Sequence, residues 1–247
     1  MADPGGVMEF ATETYHAKQE HDADEYAAEG LTELELTAQY CRSCTVSVQR
    51  LFHVRTLGAV CKAAMVEGDE AFPLDLVEDL AQDDDSEVRQ MVAEQLCVMA
   101  EAVRETRSRQ EEDIASGLLS VAFLLVEDDV DAVVTAAEAA VATVASLLED
   151  TQEGHELVMT QIANLATGEE EEIRVSGAKI VGSLASVLWP TAAKNDLTPL
   201  LEKLAQDSAY HVREVTIHSL VLVGRCRLTV SKPVLKAPVV SALETMI

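Results

Sequence analysis

Aromatic residues are scarce: Phe, Trp and Tyr make up 4% of the 247 residues, with a single Trp. A core built almost without them, in a chain that is 48% apolar and rich in Ala, Leu, Val and Glu, calls for helices packed closely on helices. Cations are also few. Eighteen Lys and Arg stand against 44 Asp and Glu, a net charge of −26. That field repels a phosphate backbone, so the expected partners are proteins with basic patches and not nucleic acid. Long apolar runs are missing. "LLSVAFLLV" (118–126) is far too short to span a bilayer, and no membrane association is expected. The first residues, "MADPGGVMEFATETYHAKQEHDADEY", are acidic and lack the apolar stretch of a secretory signal. The five cysteines (41, 44, 61, 97 and 226) are scattered through helical pattern, and read as reduced core residues of a cytoplasmic or nuclear protein.

Catalytic constellations are lacking too. Cys41-x-x-Cys44 has the spacing of a zinc or redox half-site, but no second Cys pair or His pair completes it, so core packing is expected. His16 and His21 sit among acids near the start, and His155-Glu156 occurs once, where a di-metal site would need the pair to recur. No glycine loop has the flanks of a phosphate cradle, and no serine stands in a nucleophile elbow. No catalytic residue, cofactor or metal site is expected, and the chain does not read as an enzyme.

What is present is a repeat. "LAQDDDSEVRQMVAEQL" (80–96) recurs as "LAQDSAYHVREVTIHSL" (204–220), and "LATGEEEEIRVSGAKIV" (165–181) keeps the same frame. A weaker copy, "LVEDDVDAVVTAAEAAV" (125–141), has Val134 in the arginine position, and "LFHVRTLGAVCKAAMV" (51–66) offers Val54-Arg55. The positions 55, 89, 134, 174 and 213 are separated by 34, 45, 40 and 39 residues. Each unit reads as two helices. The first lies over 73–82, 114–125, 155–166 or 197–206, and the second begins at the acidic turn. Val88, Met91, Val92, Leu96, Met99 and Val103 follow three- and four-residue steps along one apolar face, as do Ile173, Val181, Leu184 and Leu188. Small residues at matched places (Ala93 and Ala178, Ala100 and Ala185) allow close approach. A unit of about 40 residues cannot bury its own face, so copies must stack into an all-α solenoid of about five helix-turn-helix repeats. Their expected bounds are about 31–68, 71–106, 111–149, 153–189 and 194–224. Residues 1–30 are expected to be a disordered acidic leader, and 225–247 a basic tail or an incomplete sixth unit beginning where the pattern stops at Gly224.

Arg89 stands out within this pattern. It follows the Ser86 cap and the acids Asp83 to Glu87, in the electropositive first turn of a helix where a cation is mildly unfavourable. Stacking resolves this, because each turn then lies beside its neighbour's. Arg55, Arg89, Arg174 and Arg213 are expected to form a structural ladder or partner ridge, with Asp83 and Asp207 as acceptors. His53 and His211, which precede Val-Arg, are expected to line that ridge.

An Asp-containing turn followed by Val-Arg, then Ala and Leu at helical spacing, resembles the HEAT repeat over about residues 31–224. Within that class, "LFHVRTLGAVCKAA" followed by "LDLVEDLAQDDDSEVRQMVAEQL" is similar to scaffolds of the protein phosphatase 2A/4 regulatory type. The resemblance implies a HEAT/armadillo-like right-handed superhelix with no activity of its own. Such a scaffold is monomeric within a hetero-complex, holds a PP2A-like serine/threonine phosphatase catalytic subunit (PP4-type), and steers it to substrates. Partners of such scaffolds dock on second helices and intra-repeat turns, here 83–89, 169–174 and 207–213. Val134 departs from the pattern, and scaffolds of this type are longer. The other reading is a HEAT-repeat adaptor of another class, a transport receptor or assembly factor binding basic protein partners.

Overall fold

The computed structural model describes residues 30–68, 72–106, 111–148, 151–185 and 197–228. His16, His21, Leu188, most of the acidic leader and the tail past Leu228 lie outside them. Ten helices form the described structure, and no strand occurs among the described residues: α1 (Glu33–Ser43), α2 (Ser47–Glu67), α3 (Leu74–Leu80), α4 (Ser86–Thr106), α5 (Glu111–Val126), α6 (Asp131–Ala145), α7 (Gln152–Ala166), α8 (Glu171–Leu184), α9 (Thr198–Leu204) and α10 (Tyr210–Leu228). Helices α2, α4, α6, α8 and α10 pack one on the next in a row. Helices α3, α5, α7 and α9 form a second row, and each also packs on its own partner in the first. The chain is an α-solenoid. None of the described helices is long and apolar enough to cross a membrane.

Local chemistry sets the helix starts. Thr32 and Glu35 form a reciprocal capping box at α1, and Thr151 accepts from the Gly154 N–H at α7. At α4 the expected cap is displaced by one residue. Asp85, not Ser86, accepts from the Glu87 N–H at 2.9 Å, and Ser86 is the first helical residue. The last helix also differs from expectation, running to Leu228, four residues past Gly224. Nothing between 225 and 228 breaks a helix, and a single interior glycine costs only about 1 kcal/mol.

The apolar faces meet in one long core cluster from Leu34 to Val223, with a small satellite around Ala166, Val175, Ala178, Leu204 and Val212. Val88, Val92, Leu96, Met99 and Val103 of α4 are buried, while Met91 is only partly covered. Burying each large side chain contributes roughly 1.5–3 kcal/mol. Ala93, Ala100, Ala178 and Ala185 are buried where the helices come close. One close approach joins α8 to α10. Ser219 Oγ donates to the Ala178 carbonyl at 2.6 Å, and a Cβ on Gly182 would lie 2.7 Å from that oxygen and 3.0 Å from the Ser219 Cα. Gly182→Ala is therefore expected to displace Ser219 and lower stability by about 1–3 kcal/mol in urea melts, with the helical CD signal retained before unfolding.

Candidate functional site

Four arginines take up one geometry at the turns. In each, Nη1 donates to the carbonyl six residues upstream: Arg50 to Cys44 (2.9 Å), Arg89 to Asp83 (2.8 Å), Arg174 to Gly168 (3.0 Å) and Arg213 to Asp207 (2.8 Å). In Arg50, Arg89 and Arg174 the other edge of the guanidinium reaches the next unit. Arg89 grips Asp128 with two hydrogen bonds of 2.6 and 3.0 Å, and Arg174 grips Asp207 with two of 2.7 and 3.1 Å. Arg50 donates through Nη2 to Asp83 at 2.9 Å, and its Nε lies 2.9 Å from the other carboxylate oxygen without being aimed to bond it. Each aspartate also accepts from the backbone N–H two residues on: Asp85 to Asp83, Val130 to Asp128 and Ala209 to Asp207. One carboxylate thus shapes its own turn and ties it to the previous unit.

These rungs are part-buried. Arg89 is 14% exposed and Asp128 8%, so the pair differs from a freely solvated surface ion pair. Hydrogen bonding from Arg89 holds the Asp128 carboxyl below the ordinary aspartate range, against the opposing effect of burial, and Arg174 does the same for Asp207. Hydrogen bonding to Asp83, Asp128 and Asp207 in turn raises the pKa of Arg50, Arg89 and Arg174.

The structure places the anticipated residues unevenly. Arg89, Arg174, Asp83 and Asp207 all sit in rungs. Arg213 ends the described ladder, bonded to the carbonyls of its own turn and lying over the Tyr210 ring at 5.8 Å. Arg55 is not a rung. It lies more than a turn further along α2 and is exposed, while Arg50 occupies the ladder position. Arg50 and Asp128 escaped the sequence reading although both carry a signal. With Arg50 in the series, positions 50, 89, 134, 174 and 213 are separated by 39, 45, 40 and 39 residues, a more even register. Asp128 stands in the frame where Asp83 and Asp207 stand.

The same frame explains Cys41-x-x-Cys44, which aligns with Leu80-Ala-Gln-Asp83. Cys41 is a buried core residue, and Cys44 supplies the carbonyl that Arg50 caps. Burial pushes the Cys41 and Cys61 thiols up to about 12, so neither is a thiolate near neutral pH. His53 stacks on Tyr40, with 4.7 Å between ring centroids, and burial lowers its pKa. His211 is exposed beside Glu214. Among the described residues no group of three or more His, Cys, Asp or Glu could hold a metal ion.

One rung is absent, and both halves of it are gone. Val134 replaces the arginine of the third unit, and Gly168 replaces the aspartate of the fourth that it would meet. A cavity of about 520 Å³ opens beside this gap, lined by Asp128 and Val134 though not by Gly168. Glu127, Asp128, Asp129 and Asp131 line it from the third unit, and Glu170, Glu171 and Glu172 from the fourth. Among the described residues, Lys179 and His211 are its only basic lining residues. Lys179 spans the seam to Glu138 at 3.0 Å, and Arg89 engages Asp128 and Asp129. Glu127, Asp131, Glu170, Glu171 and Glu172 make no ion pair among the described residues.

No protein family matches the sequence, and no curated protein does. Solved structures similar to the fold include a designed armadillo repeat protein in complex with a (KR)4 peptide. It is 16% identical, with 87% of this chain and 100% of that chain covered and a TM-score of 0.47. Computationally designed armadillo repeat proteins for modular peptide recognition are 16% identical over 86% of this chain and 91% of that chain, with a TM-score of 0.48. An engineered protein from a structural genomics consortium is 17% identical over 87% of each chain, with a TM-score of 0.48.

Removing a rung donor leaves a part-buried carboxylate without its partner. Arg89→Ala and Arg50→Ala are each expected to lower stability by roughly 2–3 kcal/mol in denaturant titrations, whereas Arg55→Ala stays within about 0.5 kcal/mol. The pH dependence follows from the lowered carboxyl pKa values of Asp128 and Asp207. The unfolded chain binds more protons than the folded one near and below about pH 4, so stability falls as pH drops through that range. Asp128→Asn should therefore be less stable than the parent at pH 7, and the gap should narrow in melts recorded below about pH 4.

Proposed function

We propose that this chain is a non-catalytic scaffold that binds a PP2A-like serine/threonine phosphatase catalytic subunit of the PP4 type and directs it to substrates, in the cytoplasm or the nucleus. The observation that carries this reading is the aligned ridge of intra-repeat turns, with Arg–Asp rungs setting their register and acids on their exposed sides. A rigid row of equivalent turns suits holding one protein beside another. Among the described residues no group of three or more His, Cys, Asp or Glu could hold a metal ion, and burial pushes the Cys41 and Cys61 thiols up to about 12. The finer assignment comes from the motif: the Asp-turn and Val-Arg frame resembles the amino-terminal region of protein phosphatase 4 regulatory subunit 1.

A second reading has its own support. The unpaired carboxylates around the cavity between the third and fourth units favour an adaptor that binds basic proteins, such as a transport receptor or assembly factor. Affinity purification of the tagged chain from cells separates the two. The scaffold reading predicts stoichiometric recovery of a PP2A-family catalytic subunit and dephosphorylating activity in the eluate. Recovery of a small GTPase with basic cargo, and no phosphatase, would replace it with the adaptor.

A further inference from the structure

We propose that the interrupted rung between the third and fourth units is a binding site for an arginine side chain supplied by a protein partner. The proposal rests on the reading of the chain as a protein-binding scaffold and deepens it by naming the recognised group.

The intact rungs show how this backbone holds a guanidinium. At Arg50, Arg89, Arg174 and Arg213, Nη1 docks on the carbonyl six residues upstream, and three of the four also reach a carboxylate of the next unit. At the gap, Val134 brings no donor to the Asp128 carbonyl, and Gly168 brings no carboxylate. The carboxylates have not vanished from the place. They stand on both walls, in the turn before α6 and the first turn of α8: Arg89 meets Asp128 and Asp129, while Glu127, Asp131, Glu170, Glu171 and Glu172 make no ion pair among the described residues. Lys179 does not fill that role, because its ammonium is bonded to Glu138.

A second observation points into the same space. Ser176 is 4% exposed, lines the cavity and makes no hydrogen bond among the described residues. Among the described side-chain polar atoms only Arg50 Nε is both fully buried and unbonded, so the Ser176 hydroxyl keeps some solvent access and has no protein partner. An incoming N–H donor would give it one.

The chemistry selects arginine over lysine. Carbonyl, hydroxyl and carboxylate acceptors on two facing walls suit a planar fork with five donors better than a compact ammonium. A cavity of about 520 Å³ is large enough for the side chain with part of its backbone.

The test uses the full chain and an N-acetylated, fluorescein-labelled tetra-arginine peptide, read by fluorescence anisotropy at about 0.15 M salt. Saturable one-to-one binding is expected, weaker with tetra-lysine and absent with the uncharged isostere tetra-citrulline. The decisive variant is Val134→Arg with Gly168→Asp. It rebuilds the rung from within the chain and leaves net charge unchanged, so it should weaken binding about tenfold without altering the long-range field. A Cβ at Gly168 would lie 2.7 Å from the Ile173 Cγ2, so a CD melt must accompany that variant. Glu171→Gln with Glu172→Gln alters only exposed side chains and should weaken binding by a comparable factor. Glu94→Gln with Glu101→Gln, an equal loss of charge on the exposed side of α4, should leave it within about twofold. Equal weakening by the two glutamine pairs would mean that a diffuse field alone attracts the peptide, and the site would fall. Full-strength binding by a folded Val134→Arg/Gly168→Asp chain, or no saturable binding by the parent, would also overturn it. Only purified chain and peptide are present, so the outcome is independent of whether a phosphatase subunit is recovered from cells.

Discussion

The guanidinium of Arg89 donates to two carbonyls of its own turn and to Asp128 of the next, and Arg174 repeats the link two seams further along. This bond does what apolar burial cannot. Burial drives the repeats together but is non-directional, and a row of Ala, Leu and Val faces could slide by a helical turn at modest cost. A planar fork held on one side by backbone carbonyls and on the other by a single carboxylate tolerates no such slip. The aspartate's simultaneous grip on the N–H two residues on means that the turn is shaped by the group that receives the rung. The unfavourable placement of a cation in the first turn of a helix is offset by these charge-assisted bonds.

Placing the cations in the seams has a consequence for the exterior. Of the few basic residues in a chain of net charge −26, several are spent inside the ladder, which leaves acids to dominate the exposed turns. Where the ladder is complete, part of that acidity is neutralised locally. Between the third and fourth units, where Val134 and Gly168 remove both partners, the stack is held by apolar packing and the Lys179–Glu138 pair, and the acidity stands open. The same interruption that removes an internal cross-link leaves Glu127, Asp131, Glu170, Glu171 and Glu172 without an ion pair among the described residues.

Much of this was legible from residue order alone. The all-α stack followed from the repeating frame, because a two-helix unit with one apolar face admits few other resolutions. Arg89, Arg174, Asp83 and Asp207 were found by the same frame. Arg50 was not, because Val54-Arg55 imitates the dipeptide of the later units, while the true rung is set by distance from the turn carbonyl and not by a preceding Val. The pairing across the seam was also hidden: Asp83 looked like an acceptor for Arg89, six residues away in its own unit, yet its side chain serves Arg50 and only its carbonyl serves Arg89. Gly168 passed unnoticed because a missing partner is visible only once the direction of the rung is known. Cys41 and Cys44 show the reverse case, a motif with chemical overtones that turns out to be repeat frame.

The most direct measurement of the central claim is a double-mutant cycle between Arg89 and Asp128, with both truncated to Ala singly and together and stability read from urea unfolding. If the rung couples adjacent units, the two single losses overlap, and the interaction energy comes out at about 1.5–3 kcal/mol. Additive losses with no coupling would show that the guanidinium serves only its own turn, and the account of the stack as a cross-linked ladder would fail.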